Sequence, residues 1–256
     1  NKGGLNPNYT FANFVVGPFN ELAHAAVLGV CKNPGGKFNP LFIYGGIGFG
    51  KTHLIQAAGN ALCESAPQAK IKYVSADKFS SEYIQAVKNG SIEEFKDSYA
   101  KYQVLIIDDV QFLAGKEKSQ EVFFHTFNHL YQQNGQIILS SDRPARAIPM
   151  LQTRLRSRFE GGMTADIAEP DVESRIAILH KKLDIKKTSL PPGIIEIIAS
   201  SISSNIRELE GVLNIVINHN ELNGPLSKDF ILSLIKKLNI ATKRTTSFER
   251  IMEVVT

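Results

Sequence analysis

Gly45-Gly46-Ile47-Gly48-Phe49-Gly50-Lys51-Thr52 follows directly on the apolar run Leu41-Phe42-Ile43-Tyr44. The spacing is G-x-x-x-x-G-K-T, and each fixed position has a physical task. The glycines permit a turn tight enough for successive amide N–H groups to face a polyphosphate. Lys51 reaches the outer phosphate oxygens, and the Thr52 hydroxyl takes a coordination place on Mg²⁺. The helix opening at Lys51 adds the positive end of its dipole. A glycine-rich turn alone is an ordinary loop, but the full set of positions between a strand and a helix points to a phosphate-binding loop.

Downstream, Val104-Leu105-Ile106-Ile107-Asp108-Asp109 reads as a strand buried on both faces of a parallel sheet. Its two acids stand at the carboxyl end, where α/β sheets bind ligands. Asp108 suits a nucleotide-bound Mg²⁺, and Asp109 suits an attacking water; a solvated acidic turn would look the same in isolation. Ile137-Ile138-Leu139-Ser140-Ser141-Asp142 is a second buried strand with a polar end, and Ser141 and Asp142 are candidates to register a terminal phosphate. Arg154, Arg156 and Arg158 then alternate through one short stretch. Arginines that cannot reach their own nucleotide can reach a neighbour's; a solvated basic edge is the plain alternative.

Around these motifs the chain alternates strands and helices. Tyr9, Phe11, Phe14, Val15 and Val16 precede the loop and either wall a base or close the edge of the core. Asn20 is a candidate N-cap for a helix carrying Leu22, Ala23, Ala26, Val27 and Val30, which ends at Asn33-Pro34-Gly35-Gly36. A helix from Lys51 to about Ser65 and a strand at Ile71–Val74 follow. Ala76 to Asn89 and Ser91 to Tyr102 read as two helices where one crossover would suffice, and so as an insertion; Phe79, Tyr83, Ile84 and Val87 are expected on one face of the first. Glu121, His125 and His129 recur at four-residue spacing between Gln120 and Gln132, a geometry open to a metal. The crowding phenylalanines favour packed or hydrogen-bonded histidines. From Pro170 onward four helices are expected, Asp171–Leu183, Pro191–Ser201, Asn205–His219 and Lys228–Leu238. Arg207 lies early in the third, placed either to lean onto a phosphate or to pair with Glu208 or Glu210. Thr246 and Glu249 form a capping box for an amphipathic helix that runs to Thr256.

The 256 residues, 21% charged and 43% hydrophobic, suit a globular protein with a core domain and a satellite, and a net charge of +4 permits nucleic-acid binding without demonstrating it. Cys31 and Cys63 stand far from any paired ligand spacing and read as small buried apolar residues in a reducing compartment. Neither a signal peptide nor an apolar run of membrane length appears, so the expected location is cytoplasmic. A start at Asn1 without Met suggests a fragment of something longer.

Together, phosphate loop, Asp-Asp strand, polar-ended strand, arginine segment and helical tail resemble an AAA+ ATPase. Within that class Asn13–Gly17, Gly45–His53, Ile92–Phe95, Leu105–Leu113, Phe123–Asn128, Ser141–Arg143 and Arg207–Gly211 resemble the DnaA family of bacterial replication initiators, from about Leu5 to the end. The resemblance implies a three-layer α/β P-loop core with a parallel sheet over residues 1–168, with a helical insertion at about 76–100. A small all-α lid at 169–242 and the start of a linker helix at 243–256 follow. It implies ATP or ADP with Mg²⁺ as ligands, Gly46, Gly48, Gly50, Lys51 and Thr52 holding phosphates, and Asp108 and Asp109 at metal and water. Asp142 resembles a first sensor, Arg207 a second from the lid, Arg158 an arginine finger for the next protomer, and Arg154 its support. Ile84 and Lys118 match positions that engage single-stranded DNA; Lys118 stands where some members have Arg, and Phe49 where a smaller residue is usual.

The family's activity is ATP-dependent initiation of chromosome replication. The ATP form assembles head to tail into a helical filament on origin DNA, and slow hydrolysis switches it off. Whole members add a partner-binding amino-terminal domain and a duplex-reading carboxyl-terminal domain, with the replicative helicase, regulators and acidic phospholipids as partners. A helicase loader or initiator-regulating ATPase would share the core, and a motor ATPase is the rival from another class.

Overall fold

The computed structural model describes residues 2–224 and 227–237. The chain divides into two compact units, split in sequence between Glu169 and Pro170. In the first unit the elements are α1 (Glu21–Lys32), β1 (Leu41–Gly45), α2 (Lys51–Ser65), β2 (Ile71–Ser75), α3 (Ala76–Asn89), α4 (Ile92–Ala100), β3 (Val104–Asp108), α5 (Glu117–Gln132), β4 (Gln136–Ser141), α6 (Thr153–Glu160) and β5 (Met163–Ile167).

The five strands form one sheet in the order β2-β3-β4-β1-β5, with every neighbouring pair parallel. Each of Val104 to Ile107 is buried, because helices cover both faces. On one face Phe42, Leu105, Ile107, Ile137 and Leu139 pack with Phe79, Phe123, Phe127 and Phe159 from the helices. On the other, α2 lies so close that a Cβ on Gly59 would meet Ile106 Cδ1 at 2.9 Å.

Several sequence expectations change here. The sequence reading places no strand at β5, which carries no buried apolar run; only Ala165 and Ile167 are buried, while Thr164 and Asp166 face outward, as suits a sheet edge. On α3, Phe79, Ser80 and Ala86 turn inward, whereas Ile84 and Val87 are 48% and 46% exposed, so the expected single apolar stripe is split. The inward side meets α4 and α5 through ring contacts of Phe79 with Tyr99 at 5.0 Å and with Phe123 at 5.2 Å. Asn20 does not cap α1 with its side chain; it accepts from the Gly17 N–H at 3.0 Å and donates to Val15 O at 2.9 Å, and Leu22 is exposed. Cys31 and Cys63 are only half-buried, although burial raises the Cys31 thiol to about 11.

The second unit contains α7 (Val172–Lys186), α8 (Ile194–Ser201), α9 (Ile206–Asn223) and a helix over residues 228–237. Its core gathers Leu179, Ile198, Leu209, Val216 and Ile231. Asp171 and Asn205 cap α7 and α9 by accepting from the N–H groups of Ser174 and Glu208, each at 2.7 Å. Arg175, nearly fully buried, donates to Ala199 O at 2.8 Å and to Pro170 O at 2.7 Å. The end of the expected lid and the linker helix at 243–256 lie outside the described residues.

Candidate nucleotide-binding site

The loop leaves β1 at Gly45 and returns into α2 at Lys51, at the carboxyl edge of the sheet. Gly48 and Gly50 have φ of 79° and 97°, left-handed values that glycine adopts without a steric cost. Phe49 folds its ring over Gly46, where a Cβ would meet Phe49 Cε2 at 2.6 Å. Phe49 therefore packs on the loop itself, and Ile47 at the tip is 67% exposed. Lys51 is buried, and its Nζ donates to Gly45 O at 2.8 Å and Gly46 O at 2.9 Å. The cation thus sits on the inner side of the glycine turn.

Asp108 is the centre of the hydrogen bonding. Its Oδ2 accepts from Thr52 Oγ1 and from the Tyr73 hydroxyl, each at 2.8 Å, and its Oδ1 accepts from the Ser140 hydroxyl. Ser140 Oγ in turn accepts from the Asp109 N–H at 2.9 Å. Asp109 is left-handed at φ 58°, and Gln111 bridges it to the next strand. Gln111 Nε2 donates to Asp109 Oδ1 at 3.0 Å, and its Oε1 accepts from the Asp142 N–H at 3.3 Å. Asp142 also binds Arg143 through both carboxylate oxygens at 2.8 Å, and that hydrogen bonding holds its carboxyl below the usual carboxylate range. Lys51 adds a smaller Coulombic pull in the same direction.

Lys51, Thr52, Asp108, Asp109 and Asp142 are therefore gathered at one edge. Sequence reasoning missed Tyr73, Ser140 and Gln111. Tyr73 lies on β2 paired with β3, and side chains two apart share a face, so Tyr73 reaches Asp108 from the face that carries α2. In the sequence it is only one aromatic residue in an ordinary strand. Tyr73's hydroxyl is pushed up by burial and by the Asp108 charge, so it remains a donor at neutral pH.

The aromatic segment ahead of the fold lies against the start of α2. Tyr9 stacks on His53 at 4.9 Å, Phe14 meets His53 edge-on at 5.3 Å, and His53 Nε2 donates to Thr10 O at 2.9 Å. Phe14 also approaches Gly50, at 3.4 Å from the position of a Cβ there. Burial lowers the pKa of neighbouring His24, which stacks with Phe14 at 6.1 Å.

The remaining candidates of the first unit lie on its helices. Ile84 is exposed on α3, and Lys118 is exposed in the first turn of α5. Arg154 and Arg158 are exposed on α6, both over the Phe124 ring, while Arg156 turns in and donates to Leu151 O at 3.5 Å. Arg207 belongs to the helical unit; Glu210 pairs with Lys182 at 2.7 Å and Glu208 with Ser204, so neither acid serves Arg207. His125 and His129 are exposed on α5 rather than packed, with His129 hydrogen-bonded to Gln133 at 3.0 Å. Among the described residues no three His, Cys, Asp or Glu side chains are grouped to hold a metal. No described helix is long and apolar enough to cross a membrane.

A family model described as the bacterial DnaA ATPase domain matches residues 5–166. Among solved structures, domain III of the Thermotoga maritima replication initiation protein DnaA is 41% identical, with a TM-score of 0.88; the match covers 91% of this chain and 98% of that one. AMPPCP-bound DnaA from Aquifex aeolicus is 42% identical with a TM-score of 0.78, over 86% of this chain and 67% of that one. A replication initiator DnaA bound to AMPPCP and single-stranded DNA matches to the same extent. A phosphate loop of this geometry on this sheet, with these matches, makes the chain a member of the DnaA family of bacterial replication initiators, carrying its AAA+ ATPase domain.

Proposed function

We propose that this chain is the ATP-gated assembly domain of a replication initiator, binding ATP or ADP with Mg²⁺ and joining head to tail only in the triphosphate state. The observation that carries the reading is the meeting of Thr52 and Asp108 beside the Lys51 turn. Thr52 and Asp108 present hard oxygen donors to one point, which fits Mg²⁺. The fit extends to the loop, where Gly46 has no room for a side chain against the Phe49 ring, so that only backbone can face a phosphate there.

When bound, Mg²⁺ supplies charge neutralisation for the phosphate oxygens. Lys51 compensates phosphate charge, and the amides of Gly46, Gly48 and Gly50 orient the chain of phosphates. Asp109 accepts a hydrogen bond from an attacking water and holds it in line. Asp142 registers the terminal phosphate from the neighbouring strand, Arg207 adds a contact from the helical unit, and the Tyr9–Phe14 aromatics wall the base. Arg158, supported by Arg154, pairs with the triphosphate held by the next copy. The terminal phosphate thereby strengthens an interface that ADP leaves weaker, and a heterologous interface that does not close grows into a helical filament. A finger arginine supplied in trans contributes about 10³ to 10⁵ in rate in other nucleotide hydrolases. A lone protomer should accordingly hydrolyse slowly and keep its ATP as a signal.

Ile84 and Lys118 would engage a single strand along the assembly, in keeping with the DNA-bound relative. Origin duplex recognition, and contacts with the helicase, regulators and acidic phospholipids in the cytoplasm, would belong to the whole protein. The test is sedimentation velocity with a labelled single-stranded oligonucleotide, in ADP and in AMPPCP. Higher oligomers on DNA should form only with AMPPCP, and Arg158→Ala should bind nucleotide yet not assemble. Equal assembly in both nucleotides, or normal assembly by the variant, would count against the switch.

A further inference from the structure

Arg154 and Arg158 stand four residues apart on α6, so their side chains emerge from the same helix face. Two like charges at that spacing repel by a few tenths of a kcal/mol. Among the described residues neither is paired with a carboxylate. Both instead lie over one ring on the adjacent helix, Phe124 of α5, with guanidinium carbons 4.7 Å and 6.0 Å from its centroid. A carboxylate would neutralise the charges, whereas an aromatic face holds a guanidinium in place and leaves its charge and donors for an anion.

The platform is itself fixed. Phe124 is half-buried against the core, between Phe123 and the exposed side of α5. α6 is registered against α5 by Phe159, whose ring meets Phe123 at 6.1 Å and Phe127 at 6.5 Å. Just ahead of α6, the buried Gln120 of α5 accepts from the Gln152 N–H at 2.8 Å and donates to Met150 O at 3.0 Å. The ring and the two arginines therefore belong to one rigid pair of helices. Arg154 is held from a second side, its Nε donating to Gln152 Oε1 at 2.8 Å.

We propose that Phe124 is a positioning residue: its ring pre-orients the guanidinium groups of Arg154 and Arg158 for the triphosphate held by a second copy of this chain. The proposal rests on the assembly reading above. Its energetic logic is that each arginine otherwise loses rotamer freedom on meeting the anion, and the ring removes part of that cost beforehand. Phe124 lies on α5 and takes no part in the hydrogen bonding of Lys51, Thr52 and Asp108, so its replacement is expected to leave AMPPCP affinity unchanged.

The test measures AMPPCP-dependent assembly of the chain on a single-stranded oligonucleotide for Phe124→Leu, Phe124→Trp and Arg158→Ala, alongside AMPPCP affinity and thermal unfolding of each. Phe124→Leu keeps apolar volume but loses the ring, and its assembly midpoint should rise about five- to twenty-fold, from two exposed cation–π contacts, with AMPPCP affinity unchanged. Phe124→Trp restores the stronger aromatic face and should assemble as well as or better than the parent. Leu and Trp variants equally impaired would mean that Phe124 serves only packing, and the proposal fails. Arg158→Ala failing to assemble while Phe124→Leu assembles normally also overturns it and leaves the assembly reading standing. Normal assembly by Arg158→Ala overturns the assembly reading and this proposal with it.

Discussion

The Asp108 carboxylate shows how much a single residue depends on its neighbours. It is 3% exposed, and three hydroxyl groups from three different elements, α2, β2 and β4, donate to it. A buried carboxylate is tolerated when such donors replace water. Tyr73→Phe removes one donor without changing shape, and unfolding in urea should show a loss of about 1.5 to 3 kcal/mol, the range for hydrogen bonds to charged groups. A cycle with Asp108→Asn should recover most of that loss as coupling; additive effects would mean that the tyrosine acts elsewhere. The residues with fixed spacing, Lys51, Thr52, Asp108 and Asp109, were legible in the sequence because their chemistry travels with the motif. Tyr73, Ser140 and Phe124 were not, because each matters through a partner on another element.

At the scale of elements, β1, β3 and β4 announce themselves by continuous apolar runs, since the middle of a parallel sheet is covered on both sides. β5 escapes that rule because it is an edge, buried on alternate residues only. The insertion was recognisable as two helices, but its inward face was assigned too broadly: Ile84 and Val87 stay outside because α4 and α5 cover only the side around Phe79. The β1–β5 pairing also explains the first glycine of the loop. Gly45 lies opposite Ile167, whose carbonyl oxygen would be 2.3 Å from a Cβ. Gly45→Ala should force these strands apart and cost about 1 to 3 kcal/mol, the usual range for overpacking. Thermal unfolding should show the lowered midpoint, and an unchanged midpoint would mean that the edge strand yields freely.

At the scale of the molecule, the helices that carry Ile84 and Lys118 are joined within the first unit. Phe79 of α3 meets Phe123 of α5, and Lys116, just before α5, pairs with Asp77 of α3 at 2.8 Å. The exposed ion pair adds little, so the ring contact is the firmer tie. Replacing Ile84 and Lys118 together with alanine should weaken single-strand binding about ten-fold or more, the sum of a lost apolar contact and a lost phosphate contact. AMPPCP affinity should not change; unaltered DNA binding by fluorescence anisotropy would move the interface elsewhere. By itself the sequence determined the α/β class, the phosphate loop, the acidic strand and the helical second unit, because each is written in local spacing and composition. Tertiary structure decided which hydroxyls reach Asp108, which face of α3 stays exposed, where β5 closes the sheet and what holds the two arginines of α6. Those are contacts between residues distant in sequence, and only sheet register and helix packing bring them within reach.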